Sequence, residues 1–138
     1  MDSKVLWTLP YNSIDLSRFL LGKYQGETII GFDFFDDDSE RHYSCAISFV
    51  AEHAMRHSSE KFAHYVDQSY DSLVEINDSP WINELDGIDR DTMNIWNPKH
   101  CAIYVKDHGL FEIVASDYRI IEPREGRLDE VIPWITLR

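Results

Sequence analysis

Six histidines, two cysteines and 25 carboxylates are the side chains of this 138-residue sequence best suited to chemistry. His53, His57, Glu60 and His64 stand at i, i+4, i+7 and i+11. On one continuous helix that spacing lines a single face, and imidazoles with a carboxylate are zinc ligands. Ser58 and Ser59 interrupt such a helix, and the residues before them alternate like a strand, so the competing reading is scattered surface or core histidines. Asp33, Asp36, Asp37 and Asp38 form a carboxylate cluster of the kind that takes Mg²⁺ or Ca²⁺. They lack the alternate-residue spacing and distal Glu of a calcium loop and read as a solvated hairpin tip. Neither set assigns a metal, and the sequence implies no cofactor.

Nucleophilic catalysis has little support. There is no Gly-x-Ser-x-Gly elbow and no glycine-rich phosphate loop. Cys45 and Cys101 have His42 and His100 nearby, but adjacent residues on one strand point to opposite faces, which leaves a Cys–His pair between strands, needing a thiol in a cleft with a lowered pKa, as the open alternative. Both thiols sit in apolar, alternating segments and are expected to be buried, free and hydrophobic in behaviour.

Net charge turns attention from chemistry to binding. The formal charge is −12, with 25 acidic against 13 basic residues and no Lys/Arg cluster. That balance disfavours nucleic acid and anionic membranes, and it steers a basic protein partner toward the surface. Tyr65, Tyr70, Trp81, Trp96 and Tyr104 are interspersed with Asp67, Asp71, Glu84, Asp86, Asp89 and Asp91. Aromatic anchors inside an acidic rim suit a cationic surface. The expected partner contacts are Asp36, Asp37, Asp38 and Glu40 in one loop, and Glu84, Asp86, Asp89, Asp91 and Trp96 in another segment. The apolar ends suggest a homodimer through Val5, Trp7, Val131 and Trp134 as an alternative. No stretch is long and apolar enough for a signal peptide or a span, so cytoplasmic residence is the expectation.

The elements that would position these residues follow from periodicity. With 43% hydrophobic and 13% aromatic residues the chain is globular, and its length fits a single domain over residues 1–138. Residues 5–9 predict an edge strand closed by Pro10. Asn12 or Ser13 caps a short helix running to Gly22. Residues 27–35 and 43–49 alternate on either side of an acidic turn and make a hairpin, the second strand running on toward Met55. A helix over residues 46–57 competes with that extension. A short helix over 59–66, a strand over 73–76 and a helix from Pro80 to about Leu85 follow. Residues 88–99 read as a polar connection. Residues 100–105 and 110–115 form a second hairpin through Asp107-His108-Gly109, and residues 118–122 a further strand. The expected class is α+β: a mainly antiparallel sheet built from two hairpins, with a few short helices.

Three stretches are familiar together: Arg56-His57-Ser58-Ser59-Glu60-Lys61-Phe62; Tyr70-Asp71-Ser72-Leu73-Val74-Glu75-Ile76 with Ser79-x-Trp81; and His100-x-x-Ile103-Tyr104 with Gly109-Leu110-Phe111-Glu112. Over roughly residues 25–122 they resemble small, acidic, uncharacterised bacterial proteins of immunity or accessory type. The resemblance implies a bacterial cytosolic origin and a binding role, and carries no catalytic residues. The function expected is a protein-binding module, most specifically an immunity-like acidic inhibitor of a basic toxin or nuclease. A metal-dependent enzyme using the His or Asp cluster and a self-associating structural protein are the alternatives.

Overall fold

The computed structural model describes residues 2–24 and 26–128. Seven strands, β1 (Ser3–Thr8), β2 (Leu16–Tyr24), β3 (Glu27–Asp36), β4 (Arg41–Ser58), β5 (Ser72–Ile76), β6 (Lys99–Val105) and β7 (Gly109–Glu125), hydrogen-bond in the order β1-β5-β6-β7-β4-β3-β2. Two short helices, α1 (Pro80–Ile88) and α2 (Arg90–Trp96), lie between β5 and β6 in sequence. The protein is therefore mainly β, which corrects the α+β class expected from the sequence.

Three segments account for the correction. Asn12 caps as expected, its Oδ1 accepting the Ile14 N–H at 3.0 Å, but the helix stops after one 3₁₀ turn at Ser13–Asp15. From Leu16 the chain is strand, because β3 offers an apolar edge on which Phe19 faces Phe32 and Leu21 faces Ile30. Such cross-strand pairs outweigh the helical spacing of Leu16, Phe19 and Leu20. Residues 59–66 are turn and coil, with Phe62 N–H bonded to Ser59 O at 2.9 Å. The two hairpins are present, but their long strands extend well past them. β4 continues to Ser58, and β7 absorbs the separate strand expected at residues 118–122.

The chain divides into two compact units. Unit 1 comprises residues 1–9 and 51–117. In it β1 pairs with β5, β5 with β6 and β6 with β7, all antiparallel. Its buried cluster joins Val66, Val74, Ile76, Ala102 and Leu110. Both helices belong here. Ser79 and Pro80 begin α1 as the sequence indicates, Ser79 Oγ accepting the Ile82 N–H at 3.2 Å. The segment read as a polar connection contains α2, which Asp89 caps from one end and the left-handed Asn97 (φ 44°) from the other.

Unit 2 comprises residues 10–50 and 118–138. Its centre is β3, where Ile29, Ile30, Phe32 and Phe34 are fully buried, with Ile47 and Phe49 buried on β4. Leu128 packs with Leu20, Ile29 and Ala46, and its backbone N–H donates to Asp33 Oδ1 at 2.7 Å. A side chain at Gly31 would meet the Leu128 methyls at 3.0 Å, so the glycine makes that approach possible.

Candidate functional site

The most connected polar group in unit 1 forms around Glu112 of β7, which is 1% exposed. Arg56 of β4 donates to both of its carboxylate oxygens, from Nε at 2.8 Å and Nη2 at 3.0 Å. His100 of β6 reaches Oε1 with Nε2 at 2.9 Å. The sheet register explains this pairing. Ala102 lies directly opposite Glu112 and His100 opposite Val114, so His100 is the diagonal neighbour of Glu112 on one face. The small Ala102 side chain leaves the imidazole room to reach across. His64 places Nε2 3.7 Å from Oε1, beyond hydrogen-bonding distance.

On its other side His100 meets Ser79, with Nδ1 2.6 Å from Oγ. A carboxylate only accepts, so Nε2 carries the hydrogen toward Glu112, and Nδ1 shares a hydrogen bond with the Ser79 hydroxyl on the other side of the ring. Trp81, in the first turn of α1, stands edge-on to the His100 ring at 5.2 Å and has the Arg56 guanidinium over its face at 4.1 Å. Burial pushes the Glu112 carboxyl up. The hydrogen bonds from His100 and Arg56, with the charge of Arg56, outweigh it and hold the pKa at about 2.

Hydroxyl, imidazole and carboxylate thus stand in the order used to activate nucleophiles. Two features redirect that chemistry here. Ser79 is buried with its oxygen accepting the Ile82 N–H as a helix cap, and the Glu112 charge is already gripped by Arg56. What the group does physically is fasten α1 to the sheet through Ser79 and Trp81 while satisfying every buried polar partner it contains. Arg56, Ser79, Trp81, His100 and Glu112 all lie in the three stretches that carry the sequence resemblance, and the fold brings them together.

A groove of about 460 Å³ in the same unit is lined by Glu60, Ala63, His64, Tyr65, Val66, Gln68, Ser69, Tyr70 and Tyr104. Its wall is fixed by backbone bonds on both sides of Tyr70: Tyr104 N–H to Ser69 O at 2.8 Å and Asp71 N–H to Tyr104 O at 2.9 Å. These set the Tyr70 and Tyr104 rings 5.8 Å apart in a stacked arrangement.

The predicted metal set is not assembled. His53 lies against the Trp96 ring at 5.9 Å, and His57 stacks on Phe111 at 4.4 Å with its Nε2 2.5 Å from His108 O. Glu60 accepts the Asp107 N–H, and His64 faces Glu112. Along an extended β4, residues four apart are about 13 Å distant, where a helix would bring them to about 6 Å. Among the described residues no three His, Cys, Asp or Glu side chains could hold a metal ion. Cys45 and Cys101 are buried and free, each pushed up to about 12 by burial first and then by nearby carboxylates.

The expected partner contacts fall in both units. Asp36 ends β3 in unit 2, with Asp37, Asp38 and Glu40 in the β3–β4 turn that follows, where Asp36 Oδ1 accepts the Asp38 N–H at 3.0 Å. Glu84, Asp86, Asp89, Asp91 and Trp96 are all brought onto the α1–α2 pair of unit 1. Asp86 pairs with Arg90 at 3.4 Å, and Asp89 caps α2 through the Thr92 N–H at 3.1 Å. Beside these, three apolar side chains face solvent: Ile88 is 75% exposed, Ile95 76% and Trp96 51%. Sequence reasoning did not count Ile88 and Ile95 as partner contacts, because α2 was read as part of a polar connection interrupted by Ile95-Trp96. The signal available was the Asp89-x-x-Thr92 cap. Of the expected dimer residues, Val5 is exposed on β1 and Trp7 is half-buried, while Val131 and Trp134 lie outside the described residues. Among the described residues no helix is long and apolar enough to cross a membrane. No family model, curated protein or solved structure matches the chain.

Proposed function

We propose that this chain is a protein-binding module that holds a basic protein through the α1–α2 pair, in the manner of an immunity-type inhibitor. The observation that carries the reading is the outer surface of that pair. Ile88, Ile95 and Trp96 are each exposed on these two helices, of nine and seven residues. Exposed acidic groups, Glu84, Asp89 and Asp91, accompany them. Exposed apolar side chains offer contact area to a partner, and acidic groups on the same helices select a cationic one and speed its approach. The Glu112 network supports the same reading from beneath, since it ties α1 to a rigid sheet and so presents the surface in one conformation.

The test is retention of host proteins by the tagged chain at low and then high salt, repeated with two variants. Glu84→Gln with Asp91→Asn should slow association and flatten its salt dependence. Trp96→Ala should speed dissociation of the same one-to-one basic partner at either salt. Association that ignores salt, or that survives both variants unchanged, overturns the reading.

A further inference from the structure

The groove walled by Tyr65, Tyr70 and Tyr104 has a composition that the α1–α2 surface does not use. Tyr65 is 76% exposed and Tyr70 48%, and Tyr104 stacks on Tyr70. One carboxylate, that of Glu60, lines the same space, and the lining contains no Lys or Arg. Glu60 accepts the Asp107 N–H and shares a hydrogen bond with the Tyr104 hydroxyl. A carboxylate offers about four lone-pair positions, so acceptor capacity remains. Those two bonds also fix the carboxylate relative to the tyrosine rings. The Asp107 N–H bond leads in keeping Glu60 ionised, with its pKa below the usual carboxylate range, and Lys106 adds to this through its charge.

Aromatic faces carry negative potential, and several of them around one carboxylate favour a cation. Among protein cations a guanidinium fits best, because its plane stacks on rings while its edge donates to a carboxylate. An ammonium can do the second but stacks poorly. The net charge of −12 favours the same sign of ligand at longer range. Gln68 (φ 62°) and Asp71 (φ 55°), on either side of Tyr70, are both in the left-handed region.

We propose that this groove is a binding pocket for an arginine side chain, with the guanidinium against the tyrosine rings and its N–H donors turned to Glu60. The inference rests on the reading that the partner is a basic protein, and it names the group that such a partner inserts. Lys106 is the groove's internal competitor, since it already acts on Glu60 from nearby.

The experiment is an NMR titration of the full chain with the blocked peptide acetyl-Gly-Arg-Gly-amide, following the Tyr65, Tyr70 and Tyr104 ring signals. The peptide in which citrulline replaces arginine has the same shape without charge. The expected result is saturable shifts at these rings and binding about tenfold tighter than the citrulline peptide. Glu60→Gln, which keeps an acceptor for Asp107, should weaken arginine binding to near the citrulline level. Tyr65→Ser, at an exposed position, should weaken it about threefold. Lys106→Gln should tighten it. Equal affinity for the two peptides, shifts confined to other residues, or indifference to Glu60→Gln overturns the proposal. Peptide binding that persists while the α1–α2 variants leave partner retention unchanged would defeat only the earlier reading. Partner retention that depends on α1–α2 without peptide binding would defeat only this one.

Discussion

Arg56 grips Glu112 with two hydrogen bonds, 2.8 and 3.0 Å, across adjacent strands, although the arginine is 42% exposed and the glutamate almost wholly buried. The exposed end keeps part of its hydration, while the buried end depends on its partners. Replacing the buried carboxylate by an amide therefore leaves one acceptor oxygen for three N–H donors and sets an NH2 against them. Glu112→Gln should lower unfolding stability by about 3 kcal/mol, read by urea denaturation at neutral pH. A loss under about 1 kcal/mol would mean that Arg56 and His100 find other acceptors.

The same residue sets an acid limb of stability. Its folded pKa of about 2 lies below the ordinary 4.5. A carboxyl lowered on folding contributes stability that is fully present above pH 4.5 and is lost as pH falls through about 2. Wild-type protein should therefore lose stability steadily between those values, and Glu112→Gln should show a shallower slope in that window. Parallel slopes in denaturation series from pH 5 to pH 2 would contradict the assignment.

Ser79 has two jobs, capping α1 and meeting His100. Ser79→Ala should cost about 2 kcal/mol, at the upper end of cap losses, because it also leaves the buried Nδ1 of His100 without its partner. Ser116→Ala is the control. It removes a 3.0 Å bond to the Trp96 carbonyl at a solvent-facing position and should change stability by less than about 0.5 kcal/mol.

Gly109 ends the β6–β7 turn with φ +95°, and a Cβ there would fall 2.1 Å from the Ser58 carbonyl oxygen. Gly109→Ala should cost more than about 2 kcal/mol, since both backbone strain and a backbone clash must be relieved. Gly26 has φ +80° with open space around it, so Gly26→Ala should cost only about 1 kcal/mol. Thermal unfolding of the pair measures the clash as the difference.

The turn at Gly109 was legible in the sequence, as were both hairpins, because strict alternation such as Tyr43, Cys45, Ile47, Phe49 favours a strand. β2 was not, since it is a sheet edge on which Leu20 alone is buried among the described side chains, and an edge strand need not alternate cleanly. α2 escaped because only Met93 is buried in it, which leaves no apolar period to find. Arg56, Ser79, Trp81, His100 and Glu112 were each visible within familiar stretches. Their convergence was not, since it depends on which strands neighbour which and in what register. The histidine and glutamate spacing misled for the opposite reason: it presumed a helix where β4 is extended.

Cys45 sits in residues 10–50 and Cys101 in residues 51–117, so each compact unit contains one thiol. The thiolate is the reactive form, and with both groups near 12 almost none exists at neutral pH in the closed protein. Alkylation must wait until the surrounding strands part. Brief exposure to iodoacetamide, followed by peptide mass analysis, would therefore time the opening of each unit in the same sample. The chain comes with two independent stopwatches and needs no engineered label to read them.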